Sequence, residues 1–245
     1  MIKPRIYGAK GKVCMVGGAP GISDFHRWLH PEIGIASAPL PLDTLSSDGL
    51  MDMGKRVMEL FEVHKKYEPS DLAFFSCTAG SLIGGPGYDQ QLIESIKEAA
   101  GTEEAYTTTT AVLQAFKELG SKKISIITPY PDDVNEQEQA FFDKIGFTVN
   151  NIDGIVTEDP RNNKFIRKIS HEEAYDFAVK HVDPKSDTLF ISCTALGVLE
   201  IIADLEERLS IPVVTSNQAA AWRIGKYFGI HSDNALQSLG QLFKI

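Results

Sequence analysis

Cysteine is scarce. The chain has three in 245 residues, none in a CxxC spacing, too few for a disulfide frame and without a zinc-ligand pattern. Cys14, Cys77 and Cys193 therefore read as free thiols. Runs of Lys or Arg are absent as well. With 24 basic against 33 acidic residues, a net charge of −9 and a pI near 5.2, there is no phosphate-tracking stripe, which argues against nucleic acid as a partner. Long hydrophobic runs are missing too. The longest, such as 123–128 and 188–192, are strand-length, far short of the roughly 20 residues needed to span a bilayer. Membrane insertion is not expected. The start, Met1-Ile2-Lys3-Pro4-Arg5-Ile6, has charge but no following apolar core with a small-residue cleavage site, so the chain is expected in the cytoplasm. Finally, no low-complexity segment or Pro/Gly/Ser linker divides it. Residues 1–245 read as one unit, and any two halves must pack closely.

What is present is a regular alternation. Short β-branched or aromatic runs at 12–16, 72–76, 123–128, 148–152, 188–192 and 212–215 predict buried strands. Between them, amphipathic stretches at 49–67, 88–100, 110–119, 132–145, 171–181, 196–209 and 218–228 predict helices. This βαβα order predicts an α/β fold with parallel sheets covered by helices on both faces.

An internal echo stands out. Leu72-Ala73-Phe74-Phe75-Ser76-Cys77-Thr78-Ala79-Gly80 recurs as Thr188-Leu189-Phe190-Ile191-Ser192-Cys193-Thr194-Ala195-Leu196, an offset of 193 − 77 = 116 residues. A repeat of half the chain predicts two similar α/β halves about a pseudo-twofold axis, with both Ser-Cys-Thr-Ala turns facing one central cleft. Each turn follows a strand and precedes a predicted helix, and in open α/β sheets ligands bind at the carboxyl ends of the strands. Nearby helix amides would favour a thiolate below the ordinary ~8.5, and the amides of Thr78, Ala79, Thr194 and Ala195 could hold a carboxylate. One cysteine at a strand end is as readily a small buried hydrophobe. The same tetrapeptide twice favours paired catalytic thiols, whereas Cys14, without that context, reads as core. Acid/base groups on opposite faces of one carbon suit racemisation or isomerisation, with no metal or organic cofactor required.

Other features read more plainly. Gly17-Gly18-Ala19-Pro20-Gly21 lacks the GxGxxG spacing and is expected to be a tight turn lining the acid site rather than a dinucleotide loop. His26 and His30, four apart, lack a third metal ligand nearby. Asp132 and Asp133 are expected to cap a helix rather than act as paired catalytic acids. Tyr130 by itself could be a packed aromatic at a strand end.

The two Ser-Cys-Thr-Ala turns, Ile211-Pro212-Val213-Val214-Thr215-Ser216-Asn217-Gln218-Ala219 with Trp222, and Tyr130-Pro131-Asp132-Asp133-Val134-Asn135-Glu136 together resemble the aspartate/glutamate racemase superfamily. The resemblance is to the branch of maleate cis-trans isomerase and arylmalonate decarboxylase, and it runs from about Lys12 to about Ile230. It implies two pseudo-symmetric, flavodoxin-like halves, cores 12–120 and 121–230, each with a parallel four-stranded sheet and with the site between them. It implies Cys77 and Cys193 as the catalytic cysteines, and Thr78, Ala79, Thr194 and Ala195 as a carboxylate cradle. Tyr130 would hydrogen-bond a carboxylate, Asn163 would contact substrate in the register that passes over Asn162, and Gly18 would line the site. Two departures pull in opposite directions. The loop at Gly17 lacks the asparagine usual in the isomerases and is nearer in character to the decarboxylase. The decarboxylase, however, has glycine where this chain has Cys77.

The function expected is a cofactor-independent isomerase or racemase of a small carboxylic acid, with a small carboxylate as partner and self-association left open. An arylmalonate-type decarboxylase protonating through Cys193 is the alternative enzyme. A non-catalytic small-acid binding protein is the alternative from another class.

Overall fold

The structure, a computed structural model, describes residues 8–230 and 237–245; the charged start at 1–6 lies outside the described residues. The first half runs β1 (Gly11–Gly17), α1 (Ala19–Trp28), β2 (Ile33–Pro39), α2 (Ser47–Tyr67), β3 (Leu72–Ser76), α3 (Thr78–Leu82), α4 (Tyr88–Ala100), β4 (Glu104–Thr107) and α5 (Thr108–Leu119). The second runs β5 (Lys123–Thr128), α6 (Asp132–Lys144), β6 (Thr148–Gly154), α7 (Asn163–Ile166), α8 (His171–His181), β7 (Thr188–Ile191), α9 (Ile202–Leu209), β8 (Val213–Thr215) and α10 (Ser216–Tyr227). The strands form two parallel four-stranded sheets, ordered β2-β1-β3-β4 and β6-β5-β7-β8. The same order in both explains the sequence echo: β3 and β7 occupy equivalent inner places, so Ser76-Cys77 and Ser192-Cys193 leave equivalent strand ends.

The inner strands are the ones the apolar runs predict, because a strand covered on both faces must be apolar throughout. All five residues of β3 and all four of β7 are buried. The edge strands β2 and β4 escape that pattern. Ile-Gly-Ile-Ala-Ser-Ala-Pro is only partly covered, and Glu-Ala-Tyr-Thr, though three of its four residues are buried, is too short and too poor in large apolar side chains to read as a run. Helix ends follow local chemistry. Ser46 accepts from the Gly49 amide, α8 and α10 open with capping boxes (Ser170/Glu173 and Thr215/Gln218), and α4 and α5 end on left-handed Gly101 and Gly120.

Three expectations need correction. The segment at Gly17–Gly21 is not a free turn: α1 begins at Ala19, with proline in its first turn, where a missing N–H leaves no intrahelical bond unmade. The helix expected from 196 begins at Ile202, after a turn at 194–195 and a short 3₁₀ turn at Leu199–Ile201. Asp132 and Asp133 are not the cap. Pro131 is, and the two acids sit in the first turn of α6, where they favour its dipole.

The halves are tied by aromatic packing. Phe116 of α5 lies 5.9 Å from Phe142 of α6, 5.3 Å from Phe147 and 5.5 Å from Phe190 of β7, ring centroid to centroid. Such tilted and edge-to-face arrangements suit aromatic quadrupoles. Helix α5 also packs against α10, so the last helix of the first half is shared with the second.

Candidate active site

In the first half the chain leaves β3 at Ser76, and Cys77 caps α3 with its sulfur accepting from the Gly80 amide at 3.3 Å. Gly80 has to be small: a Cβ there would stand 2.9 Å from that sulfur. Ser81 Oγ donates back to the Cys77 carbonyl at 2.7 Å and closes the turn. In the second half the strained backbone of Cys193 turns its sulfur toward the Ala195 amide, again at 3.3 Å. Strain of this kind costs about 1–3 kcal/mol and persists only where the surroundings enforce it.

The two turns are laced to one another. Ser216, the first residue of α10, accepts from the Cys193 amide at 3.0 Å, and its hydroxyl meets Thr78 Oγ1 at 2.7 Å. In return, Thr194 Oγ1 donates to the Ser76 carbonyl at 3.3 Å. Asn217 Nδ2 donates to the Thr194 carbonyl at 3.2 Å and to Asp24 Oδ2 of α1 at 2.9 Å. The threonine hydroxyls, expected in a carboxylate cradle, are thus engaged in joining the halves. What faces the sulfurs is a pair of amides, Gly80 and Ala195, with the first-turn amides of Thr78 and Ala79 lacking intrahelical acceptors.

The thiols feel one another. Burial pushes Cys77 up to about 12, opposed by the Gly80 amide and reinforced by charge on Cys193. Cys193 is pushed up to about 11 by burial, opposed by the Ala195 amide and the Tyr130 hydroxyl. The expected lowering by helix amides is therefore reversed, because removal from water outweighs one amide bond per sulfur. Burial thus favours the protonated form of both thiols. Cys14, inside β1, is likewise pushed up to about 12 by burial alone and belongs to the core, as expected.

Tyr130, buried just past β5, couples electrostatically to Cys193 and to Cys77, and burial holds its phenol well above the usual range. It thus lies with both thiols. Behind it is a residue the motifs did not single out. Glu138 of α6 is fully buried, and burial raises its carboxyl to about 8.

A cleft of about 420 Å³ opens beside the turns. Gly18, Asn163 and Ala195 line it, with Asn162 next to them. The site residues expected from the first loop, the α7 segment and the second turn therefore share one space. Asn162 is also spoken for locally, capping α7 by accepting from the Lys164 amide at 3.1 Å. Gly17 cannot be larger, since a Cβ would lie 2.2 Å from the Ser76 carbonyl oxygen. The cleft has an apolar wall, Pro39 to Leu42, and three exposed charges, the cations Lys164 and Arg167 and the acid Asp43. A larger cavity of about 640 Å³ between α8 and α9 is open, borders His171 and three acids, and contains no cysteine. No cysteine lines the 420 Å³ cleft either; it is the candidate because Ala195, two residues past Cys193, and Gly17, against the Ser76 carbonyl before Cys77, lie on its wall.

The profile of the family described as arylmalonate decarboxylase matches residues 18–243. The chain belongs to that family. It is similar to arylmalonate decarboxylase of Bordetella bronchiseptica, 26% identical over 196 residues covering 79% of this chain and 80% of that one. It is also similar to maleate isomerase of Nocardia farcinica, 23% identical over 206 residues, 80% of this chain and 79% of that one. Among solved structures, the N. farcinica maleate cis-trans isomerase, as a cysteine-to-serine mutant with a covalently bound succinylcysteine intermediate, superposes with a TM-score of 0.85 at 19% identity, covering 95% of this chain and 97% of that one. A liganded arylmalonate decarboxylase with a glycine-to-cysteine and a cysteine-to-serine exchange gives 0.84 at 24% identity, covering 95% and 98%. These likenesses establish the two-sheet fold. The named relatives of this family member are enzymes, a decarboxylase and isomerases.

Sequence reasoning passed over Gly80, Ser216, Asn217, Ser192 and Glu138. Ser216 and Asn217 lay within a quoted motif but had no assigned role, because their partners are 138 and 193 residues away in sequence. Glu138 did leave a signal. It falls on the buried stripe Val134, Glu138, Phe141, Phe142, where an amphipathic helix carries apolar residues.

Proposed function

We propose that the protein is a cofactor-independent isomerase of a small dicarboxylic acid, with Cys77 and Cys193 acting on opposite faces of the substrate. The observation that carries the reading is the pair of thiols at equivalent strand ends, mutually coupled and sharing Tyr130. With a cis-enedioate in the cleft, the Cys77 sulfur forms a C–S bond to one alkene carbon while Cys193 gives its proton to the other. The Cys77 proton replaces the one Cys193 gave up. The sum is addition of one S–H across the double bond, and no net charge is created in a site that disfavours it. Rotation about the new single bond and the reverse sequence release the trans acid. The amides of Thr78, Ala79 and Ala195 and the Tyr130 hydroxyl stabilise the enolate-like charge during addition. Asn163 contacts a carboxylate, Gly18 and the Thr194 turn shape the wall, and Lys164 and Arg167 draw the dianion in.

One observation favours a second reading. The apolar wall Pro39–Leu42 would accept an aryl or alkyl group, as an arylmalonate-type decarboxylation needs, with Cys193 protonating the enediolate left by loss of carbon dioxide. Proton NMR in D₂O with maleate, aspartate, glutamate and an arylmalonate separates the outcomes. The proposal expects fumarate from maleate. Carbon dioxide loss from the arylmalonate with maleate untouched would replace it by the decarboxylase, and no change in any substrate would leave only a binding role.

A further inference from the structure

Glu138 occupies a core position of α6, yet it is an acid. It is fully buried, and neither carboxylate oxygen has a hydrogen-bond partner among the described residues, nor does the buried Ser192 hydroxyl. Ser192 is still near enough to favour the ionised form slightly, but burial prevails and raises the carboxyl to about 8. An ion there would give up its hydration with no hydrogen-bond partner to replace it.

Among the described residues, no cation acts appreciably on it. The groups that feel its charge are Tyr130 and Cys193. Of the elements packed against α6, α3 and β7 have no titratable side chain, β6 contributes only Asp153, which faces His181 Nδ1 at 3.7 Å, and α5 contributes only the exposed Lys117 and Glu118, the latter paired with Lys226. On α6 itself Asp133 is paired with Arg161 at 3.0 Å. Asp132, Glu136, Asp143 and Lys144 are the helix's remaining charges, and none of them acts appreciably on Glu138.

We propose that Glu138 is a positioning residue for Cys193: its buried, unpartnered carboxyl backs the unpartnered Ser192 hydroxyl and Tyr130 and holds those two groups against the sulfur. A Leu or Met would fill the stripe equally well but would bring no polar group toward the unpartnered Ser192 hydroxyl. An ionised Glu138 would set a second negative charge against a Cys193 thiolate and against a bound dicarboxylate, so loss of its proton opposes both. The use to which Cys193 is put rests on the function proposed above; the coupling does not.

The coupling is read without turnover. Full-length wild type and Glu138→Gln, which keeps the shape but cannot ionise, are alkylated with iodoacetamide from about pH 6 to about pH 10. Each cysteine is followed by peptide mass spectrometry. Thiolate reactivity should rise about tenfold per pH unit in the variant, whereas wild-type Cys193 should lag once Glu138 ionises. The variant-to-wild-type ratio at Cys193 should then grow about tenfold across the range, the effect of a like charge worth about one pK unit. Cys77, on which Glu138 does not act directly, is the internal reference and should keep a constant ratio. A constant ratio at Cys193 would overturn the proposal. Should the variant fail to fold, infrared spectra of the wild type decide. A protonated-carboxyl band at about pH 6 that disappears by about pH 10 supports it, and absence of that band overturns it. An altered Cys193 profile without turnover of any acid would defeat the proposed function and leave this inference standing.

Discussion

Glu138 should make the protein lose stability as pH rises from mildly acid to neutral, and Glu138→Gln should remove that loss. The folded-state carboxyl is raised from 4.5 to about 8, so in this window the native chain holds a proton that the unfolded chain releases. The contribution is fully present below about pH 4.5 and is lost as pH rises through about 8. Each unit corresponds to about 1.4 kcal/mol, and between pH 5 and pH 8 the wild type should lose about 3 to 4 kcal/mol relative to the variant. The buried amide introduced by the substitution carries its own penalty of about 1–3 kcal/mol, but that is independent of pH and leaves the slope untouched. Asp24 and Glu206 are also raised, and they cancel because both proteins contain them. The thiols and Tyr130 have ordinary values at or above the top of the window, so they add little there. Urea unfolding at pH 5, 6, 7 and 8 measures the difference. Parallel stability–pH curves for the two proteins would refute the reasoning.

Other outcomes follow from the same geometry. At Cys193, φ +114° favours glycine, so Cys193→Gly should be more stable than Cys193→Ala by about 1 kcal/mol, the reverse of the usual order, and thermal melts compare them directly. Ser216→Ala leaves the Cys193 amide without its acceptor and Thr78 without its partner. A drop of about 2 to 4 kcal/mol in denaturant titration, at unchanged m-value, is expected. Replacing both Lys164 and Arg167 by Ala should raise KM for a dicarboxylate about fivefold with kcat nearly unchanged, and added salt should shrink the difference.

The inner strands were legible because burial on both faces writes itself as unbroken apolar runs: 72–76 and 123–128 were read to the residue. Edge strands β2 and β4 were not: half-covered β2 accepts Gly, Ala and Ser and loses the signature, and β4, buried at three of its four residues, is too short to show one. The repeat singled out Cys77 and Cys193 and separated them from Cys14. It could not reveal that burial, not the amides, dominates their acidity, because that depends on how tightly the halves close. The same closure hid the role of Thr78 and Thr194. Their hydroxyls look like substrate ligands in a linear motif, but in three dimensions they join one half to the other. Glu138 was visible only as a misplaced charge on an apolar stripe, a signal with meaning once Ser192 and Tyr130 are seen beside it.

The central claim is that the two thiols divide the work, Cys77 as nucleophile and Cys193 as proton donor. Intact-mass spectrometry of Cys193→Ser and Cys77→Ser after incubation with maleate tests it most directly. A covalent adduct with the mass of one maleate, mapped to Cys77, should accumulate in the Cys193→Ser variant and be absent from Cys77→Ser, with turnover lost in both. An adduct at Cys193 alone, or full turnover in the Cys77→Ser variant, would contradict it.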